Sequence, residues 1–477
     1  MIQHLYIECT HTASSGLNTG IQRVVRKVID QLGEHLPNGA AVSLVTIADG
    51  EFYHLEQFVD LRAVVEEEVV DDEIEDVAEI ISEEIPEDID GDALNSPVQP
   101  GLKRRFLDSL RAVREAILAK ISWGPLHQFL SASRYEFGLS GIIYTLTLRI
   151  FLGPKPLETT VLEVPEETKP GPRPLEFAPG DVILLLDSSW HLPAWGAIAK
   201  AKQSQAVIFA VIYDLIPITH PQFCEQALCE VFNNWFQQGC ATVDGYIAIS
   251  KTVRHTLRDY LADMGSPLAS ERFGYFYLGA DVTQGEEGAR EELVQSISKG
   301  DSYLIVSTIE PRKNHQYLMD AFSELWRRGC RVKLHIVGRI GWKVEELLMR
   351  IEEHPEFNKQ LFLWHDLDDS ELVYCYKNSK SLVFSSFVEG FGLPIIEAQH
   401  HQLPVLASDT PIHREIGGES IDYFDLNLPA DLVAKIIAIE AGQGQLKDTG
   451  LFDLEQFTWQ KSSEMLVDEM FRIKALL

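Results

Sequence analysis

Cysteine is scarce in this sequence, and no two of its six cysteines form a CxxC pair. The histidines are not clustered with them either. Structural zinc sites need closely spaced ligands, and disulfide frameworks need paired thiols. The sequence therefore argues against both kinds of site, and scattered cysteines fit the reducing cytosol, where we expect the protein to reside.

Basic residues are few for a chain of 477 residues. There are 41 Lys and Arg against 72 Asp and Glu, which gives a formal net charge of −31 at pH 7. Fifteen of the acidic residues fall within residues 66–92, which contain no Lys or Arg. Because nucleic-acid binding needs a basic surface, we exclude nucleic acid as a partner.

Long apolar runs are missing as well. The longest, near residues 141–152, is interrupted by threonines and by Arg149, whereas a spanning helix needs about 20 apolar residues. The chain opens on a strand-like run, residues 2–7, so we expect no signal peptide. Residues 102–121 show a basic amphipathic pattern. This pattern predicts a helix packed in the core, a partner for the acidic segment, or a peripheral contact with the inner membrane face.

A dinucleotide-binding glycine fingerprint is also absent. Residues 12–20 form a loop of small residues between a predicted strand and a helix at residues 21–29, the arrangement of a phosphate site at the edge of a parallel sheet. The spacing of Gly16 and Gly20 is not GxGxxG, which argues against a nicotinamide oxidoreductase.

The strongest functional pattern lies in residues 387–397, which read Phe-Val-Glu-Gly-Phe-Gly-Leu-Pro-Ile-Ile-Glu. An apolar run before them predicts a buried parallel strand. Gly390 and Gly392 permit a sharp turn close to a ligand, and Pro394 suits the first turn of a helix. Strand, glycine turn and helix N-terminus together predict an anion site. Glu389 and Glu397 flank the turn and suit sugar hydroxyls, although an isolated pair of glutamates would be read as surface carboxylates.

This stretch resembles the signature of the retaining family 4 glycosyltransferases of GT-B fold, which is Glu, seven residues, Glu, with Gly-Phe-Gly-Leu-Pro inside. The resemblance implies donor contacts from Glu389, Gly390, Phe391, Gly392, Leu393 and Glu397. Gly20 and Arg23 match the family's Gly-Ile-x-Arg loop, which approaches the donor and the acceptor. A helix-surface arginine is the alternative for Arg23.

Two adjacent cations, Arg312 and Lys313, follow another predicted strand at residues 303–306. They suit a diphosphate, because Arg binds it bidentately and Lys supplies a point charge, although basic pairs in surface loops are common. The surrounding Glu-Pro-Arg-Lys-Asn resembles mannosyltransferase-like members of the family. The resemblance implies that both cations stabilise the leaving nucleotide diphosphate, and that the reaction needs no metal or other cofactor.

The sequence departs from the family at one strand end. Many relatives carry His-Asp where this chain has Tyr213 and Asp214. The resemblance implies a catalytic role for Asp214, which matches. His191 and His220 are candidates to supply the missing imidazole, and Tyr213 and Arg23 are the other candidates on the acceptor side.

Apolar strands that alternate with helices predict an α/β fold. We predict an N-terminal Rossmann-like acceptor domain over residues 1–285, with an insertion at about residues 60–175, and a C-terminal Rossmann-like donor domain over residues 286–460. The GT-B resemblance implies a central cleft between them and a closing helix, residues 461–477, that crosses back to the first domain.

These features predict a retaining glycosyltransferase that moves a hexose from a nucleotide diphosphate sugar to a lipid-linked or polysaccharide glycan. The cationic stretch and residues 413–418 resemble mannosyl or rhamnosyl transferases, which makes GDP-mannose the first candidate donor. A UDP- or dTDP-sugar is the alternative donor. A non-catalytic nucleotide-sugar-binding partner is the alternative function, and Tyr213 alone supports it.

Overall fold

The computed structural model describes residue 2 and residues 4–14, 20–36, 40–55, 173–280 and 288–477. The acidic segment 66–92, the amphipathic pattern at 102–121 and nearly all of the predicted insertion lie outside these residues. Both sheets described below belong to one compact unit. Within the described residues, no helix is both long enough and apolar enough to span a membrane.

The first sheet has seven strands in the order β3-β2-β1-β4-β5-β6-β7. All neighbouring strands are parallel except β2 and β3, which form an antiparallel pair at one edge. The central strands are buried along their whole length, as expected for parallel strands with both faces covered. The strands are β1 His4–Glu8, β2 Ala41–Ala48, β3 Glu51–Leu55, β4 Val182–Leu185, β5 Val207–Ile212, β6 Gly245–Ala248 and β7 Phe273–Tyr275.

The second sheet has six strands in the order β10-β9-β8-β11-β12-β13, and every pair is parallel. Its central strands are again apolar and buried. The strands are β8 Ser302–Val306, β9 Lys333–Val337, β10 Leu361–Trp364, β11 Ser381–Phe384, β12 Val405–Ser408 and β13 Asp422–Phe424. The two sheets with their flanking helices confirm the predicted α/β class with two parallel sheets.

Helices connect the parallel strands. The described residues form α1 Thr10–Ser14, α2 Ile21–His35, α3 Trp195–Gln203, α4 Ile216–Thr219, α5 Gln226–Cys240, α6 Lys251–Asp263, α7 Glu291–Ser296, α8 His315–Arg327, α9 Glu345–Glu352, α10 Asp369–Asn378, α11 Leu393–His400, α12 Pro411–Gly417, α13 Pro429–Glu440 and α14 Trp459–Lys474. Side-chain caps set several N-termini: Ser250 accepts a hydrogen bond from the Val253 amide, and Asp368 forms a capping box with Glu371.

The last helix, α14, packs on the first sheet. It contacts α2 and the strands β6 and β7. Ser463 Oγ donates a hydrogen bond to the carbonyl of Val28 in α2 over 3.3 Å, and Leu466, Val467 and Met470 are buried. The chain therefore finishes against the half of the molecule in which it began.

Four short elements were not predicted from the sequence. Strands β3, β7 and β13 have five, three and three residues, too few to show a clear period. Helix α7 lies in a charged interval of the sequence, residues 283–300. Its six residues have only two buried side chains, so they leave no apolar stripe to detect.

Candidate functional site

The loops that follow β8 and β11 meet at a buried carboxylate. Arg312 and Lys313 lie in a short 3-10 turn, Pro311–Lys313, just past β8, and Glu389 lies just past β11. Glu389 is held between them: Arg312 Nη1 lies 2.5 Å from Oε2, and Lys313 Nζ lies 2.5 Å from Oε1. Glu310 Oε1 is 2.7 Å from Arg312 Nη2. The structure therefore brings together three residues that the sequence placed at two different strand ends.

Backbone contacts fix this arrangement. The Phe387 amide donates to the Arg312 carbonyl over 2.8 Å, and Ser385 Oγ donates to the Lys313 carbonyl over 2.9 Å. Asn314 adopts a left-handed conformation with φ 57° and caps α8. Asn tolerates this region better than most residues, so the cationic turn can end abruptly and a helix can start at once.

Burial and charge oppose each other at this cluster. Burial alone would raise the pKa of Glu389, but Arg312 and Lys313 more than offset it and hold the pKa below its ordinary value. Burial lowers the pKa of Lys313 despite its contact with Glu389. Burial also raises the pKa of Glu310 and of Asp214, and the nearby Arg312 offsets part of both shifts. The cluster thus depends on its internal ion pairs.

The glycine turn packs directly on the first sheet. A Cβ on Gly390 would lie 2.2 Å from the carbonyl oxygen of Tyr213, and Ser250 Oγ donates to the Gly390 carbonyl over 2.9 Å. Gly392 has φ 106° and precedes Leu393, the first residue of α11. Only glycine fits Gly390 against another backbone, and a positive φ favours it at Gly392.

Phe391 has a different environment from its glycine neighbours. Its side chain is buried, with ring centroids of Tyr277 and Phe457 at 5.9 Å and 6.1 Å. The side chain is part of the packing between elements, so any contact of Phe391 with a ligand would come from its backbone.

Glu397 and Arg23 also come together, although 374 positions separate them in the chain. Arg23 Nη1 lies 3.8 Å from Glu397 Oε1, and Tyr376 OH donates to Oε2 over 2.8 Å. Gly20 has φ 55° and immediately precedes the first turn of α2, which contains Arg23. Tyr376 was missed by the sequence analysis, because an aromatic residue inside a helix gives no signal of a polar contact.

The candidates on the acceptor side make contacts with different partners. Tyr213 OH donates to the Leu186 carbonyl over 2.8 Å, and burial raises its pKa well above the ordinary value. Asp214 Oδ1 accepts from the Ile216 amide over 2.9 Å. His220 pairs with Thr219 and stacks on Phe223, whereas His191 lies edge-to-face against His11 with centroids 5.0 Å apart.

One further contact joins the two halves. Glu415, in α12, accepts hydrogen bonds from the Lys251 and Thr252 amides, each over 2.7 Å. These amides form the N-terminus of α6, where a negative charge is favoured. The sequence analysis missed this role of Glu415, because an acidic residue near the end of a short helix looks like a surface residue.

Part of this chain is similar to known proteins. Residues 291–450 match the family described as glycosyl transferases group 1. Serotype-specific mannosyltransferase WbdA of Escherichia coli is 30% identical over 307 residues, 62% of this chain and 38% of that protein. O-antigen chain mannosyltransferase B of Escherichia coli is 27% identical over 169 residues, 35% of this chain and 44% of that protein. This chain thus spans less than half the length of these curated relatives.

Among solved structures, that of Anabaena HepE in complex with UDP is similar over 100% of this chain and 97% of that chain, with 13% identity and a TM-score of 0.47. The family match covers every strand of the second sheet together with Arg312, Lys313, Glu389 and Glu397. Residues 291–450 are thus the part of this chain that matches the glycosyl transferases group 1 family.

Proposed function

We propose that this chain is a retaining glycosyltransferase of GT-B type that transfers a hexose from a nucleotide diphosphate sugar to a glycan. The observation that carries the proposal is the Glu389 carboxylate between Arg312 and Lys313, at the mouth of the glycine turn and inside the matched domain. A protein that only bound the donor would need no such pair of cations for a leaving group.

Arg312 and Lys313 act on the departing diphosphate. The bond from the anomeric carbon to the phosphate oxygen breaks, and its electron pair goes to that oxygen, where the two cations stabilise the charge. The anomeric carbon bonds to the acceptor oxygen on the same face, and the hydroxyl proton leaves with the nucleotide diphosphate. When the donor enters, Glu389 exchanges part of its contact with the cations for the sugar hydroxyls.

The remaining donor contacts follow the loop. The amides of Gly390, Phe391, Gly392 and Leu393 lie at the start of α11, whose N-terminus favours an anion. Glu397 binds the ribose hydroxyls and is oriented by Arg23 and Tyr376. Asp214 lies beside Gly390 and stands at the reacting centre in this scheme.

Mannose is the first candidate sugar. WbdA and O-antigen chain mannosyltransferase B are both named as mannosyltransferases, and the second is named for O-antigen chains. We therefore propose GDP-mannose as donor and a lipid-linked or polysaccharide glycan as acceptor. UDP- and dTDP-sugars remain the alternatives, as does a partner protein that binds the donor without turnover.

A nucleotide-release assay against GDP-mannose and a panel of UDP- and dTDP-sugars tests the proposal. We expect slow hydrolysis of one donor, reduced about 100- to 1,000-fold in Arg312→Ala, the loss typical of a missing transition-state contact. Arg327→Ala is the matched control, because Arg327 is an exposed arginine on α8 that pairs only with Glu324 among the described residues. Binding without release, even with glycans added, would favour the partner-protein alternative.

We also propose a cytoplasmic location with peripheral contact at the inner membrane face. Its support is the basic amphipathic pattern of residues 102–121. Flotation with anionic liposomes, with and without these residues, is the test. Equal flotation of both forms would contradict the contact.

A further inference from the structure

A second polar cluster lies at the carboxyl edge of the first sheet, outside the donor contacts. The neighbouring parallel strands β1 and β4 both run into it. Glu8 ends β1, and Asp187 lies two residues past the end of β4; both carboxylates are buried. Ligand sites of parallel α/β sheets form at this edge.

Hydrogen bonds from the following loops reach both carboxylates. Glu8 Oε1 accepts from the Thr10 amide over 2.8 Å and from Ser189 Oγ over 2.9 Å. Asp187 accepts from the Thr12 amide over 2.5 Å and from the Ser188 amide over 2.7 Å. The loops after β1 and β4 are thus held on one rigid carboxylate base.

Two imidazoles stand on that base. His11 Nδ1 lies 2.6 Å from Ser188 Oγ and 3.2 Å from Gln22 Nε2. His191 sets its ring against His11 at an interplanar angle of 79° and is itself exposed. Burial of part of the ring and the adjacent His11 lower the pKa of His191, which favours the neutral ring, the form that can accept a hydrogen bond.

The first turn of α2 connects this cluster to the donor side. Gln22 reaches His11, and the next residue, Arg23, reaches Glu397 of α11. Tyr213 makes a second connection: its carbonyl abuts Gly390, and its hydroxyl binds the carbonyl of Leu186, the residue before Asp187. The imidazoles therefore flank the donor contacts from the side of the first sheet.

We propose that His191, steadied by His11, binds a hydroxyl of the acceptor glycan. The hydroxyl of Tyr213 is buried and already hydrogen-bonded, so it does not serve as the hydrogen-bond acceptor for the glycan. We assign that role to the ring of His191. His11 and the carboxylate base position the ring. The ligand class is a neutral oligosaccharide whose hydroxyls point at the edge of the first sheet. The kinetic part of this inference rests on the proposed transferase function; the binding part does not.

Binding is tested by NMR on the full chain with 15N-labelled histidine. Ring nitrogen signals are followed while linear α-mannotriose is added in the presence of GDP, and the His191 signals are assigned with His191→Gln. We expect the His191 and His11 signals to shift and those of His255, an exposed histidine on α6, to stay in place. Unshifted His191 and His11 signals would overturn the inference, whether or not the protein turns over donor.

Kinetics separate a binding role from a structural one. With GDP-mannose as donor and α-mannotriose as acceptor, we expect His191→Gln to raise the KM for the acceptor about tenfold, the effect of one lost hydrogen bond. The melting temperature should stay unchanged, because the His191 side chain is exposed. His255→Gln is the matched control, because His255 is an exposed histidine on α6. His220→Gln tests the competing candidate, which stacks on Phe223.

The outcomes are distinguishable. A raised KM in His220→Gln with none in His191→Gln would overturn the assignment. Histidine shifts without any donor turnover would contradict the transferase function and support glycan binding at this edge.

Discussion

Glu389 compensates the charge of two buried cations, and this single carboxylate allows them to lie next to each other. Its contacts with Arg312 and Lys313 replace water that both cations lose on folding. Lys313 is only 8% exposed, so without Glu389 its charge would lack compensation in a poorly hydrated place. The residue therefore stabilises the fold, in addition to the donor contact proposed for it.

We expect Glu389→Gln to lower the free energy of unfolding at pH 7 by about 3 kcal/mol, the cost of breaking a buried ion pair from one side. The pKa of Glu389 is lowered in the folded protein, so its stabilisation is present above its ordinary value of 4.5 and is lost as the pH falls towards the folded value. The difference between the two proteins should then shrink at pH 3. Urea denaturation at both pH values measures it.

Glu346→Gln, an exposed change on α9, is the control and should alter neither value. An equal loss at pH 3 and pH 7 would contradict the ionic account of the cluster.

The contribution of Glu8 to stability depends on pH in the opposite direction to that of Glu389. Burial, together with the neighbouring Asp187, raises its pKa to about 7. Its contribution to stability is then complete below the ordinary value of 4.5 and is lost as the pH rises through about 7. Glu8→Gln should therefore gain stability relative to the unaltered protein between pH 5 and pH 8. Melting temperatures at the two pH values measure this gain, and an identical pH dependence of both proteins would refute it.

At the scale of elements, the glycine turn between β11 and α11 brings the backbone of the second half against that of the first. Gly390→Ala would place a methyl group 2.2 Å from the Tyr213 carbonyl oxygen, and neither backbone can yield without opening the contact. We expect lower thermal stability and a reduced kcat/KM for the donor. Differential scanning calorimetry and the nucleotide-release assay measure the two effects.

Gly33→Ala in α2 is the matched control, because a Cβ there meets nothing within 4 Å. Alanine favours a helix interior over glycine by roughly 0.5–1 kcal/mol, so this variant should be as stable as the unaltered protein or more so. Equal effects of the two changes would show that the contact at Gly390 is unimportant.

The contact between α12 and α6 is a charge at a helix end. Glu415→Ala removes the carboxylate that binds the Lys251 and Thr252 amides. We expect a loss of up to about 2 kcal/mol in the free energy of unfolding, the upper range for a charge at a partly buried helix terminus. Chemical denaturation measures the loss. Glu419→Ala, four positions further along the chain with a side chain that is 99% exposed, should have no effect.

At the scale of the whole molecule, we expect donor turnover to be independent of divalent metal. In the proposed reaction, Arg312 and Lys313 supply the positive charge that a metal ion would otherwise provide at the leaving diphosphate. Nucleotide release should be equal in EDTA and in buffers that contain Mg²⁺ or Mn²⁺. Activity that is lost in EDTA and restored by Mn²⁺ would contradict this expectation.

The sequence predicted the α/β class and most long strands, because buried parallel strands are apolar runs that end in polar residues. It did not predict β7 or β13, whose three residues depend on neighbours for their conformation. The partners within the site were also out of reach: Arg312 and Glu389 are 77 positions apart, and spacing along the chain cannot show such a contact. Glu310 and Glu415 carry no local signal at all, since only the folded arrangement turns them from surface acids into partners.

The edge of the first sheet has a consequence for how this chain can be rebuilt. Strand β3 ends at Leu55, and the described chain resumes at Arg173; two residues later the Leu175 amide donates to the Phe52 carbonyl over 2.8 Å. Phe177 then packs its ring on Phe52, 5.2 Å away. The chain therefore leaves the sheet and rejoins it at neighbouring positions along β3. A protein engineer can therefore use this pair of positions as an insertion site. Residues 56–172 can be exchanged there for a short linker or a foreign domain while the sheet keeps its own edge.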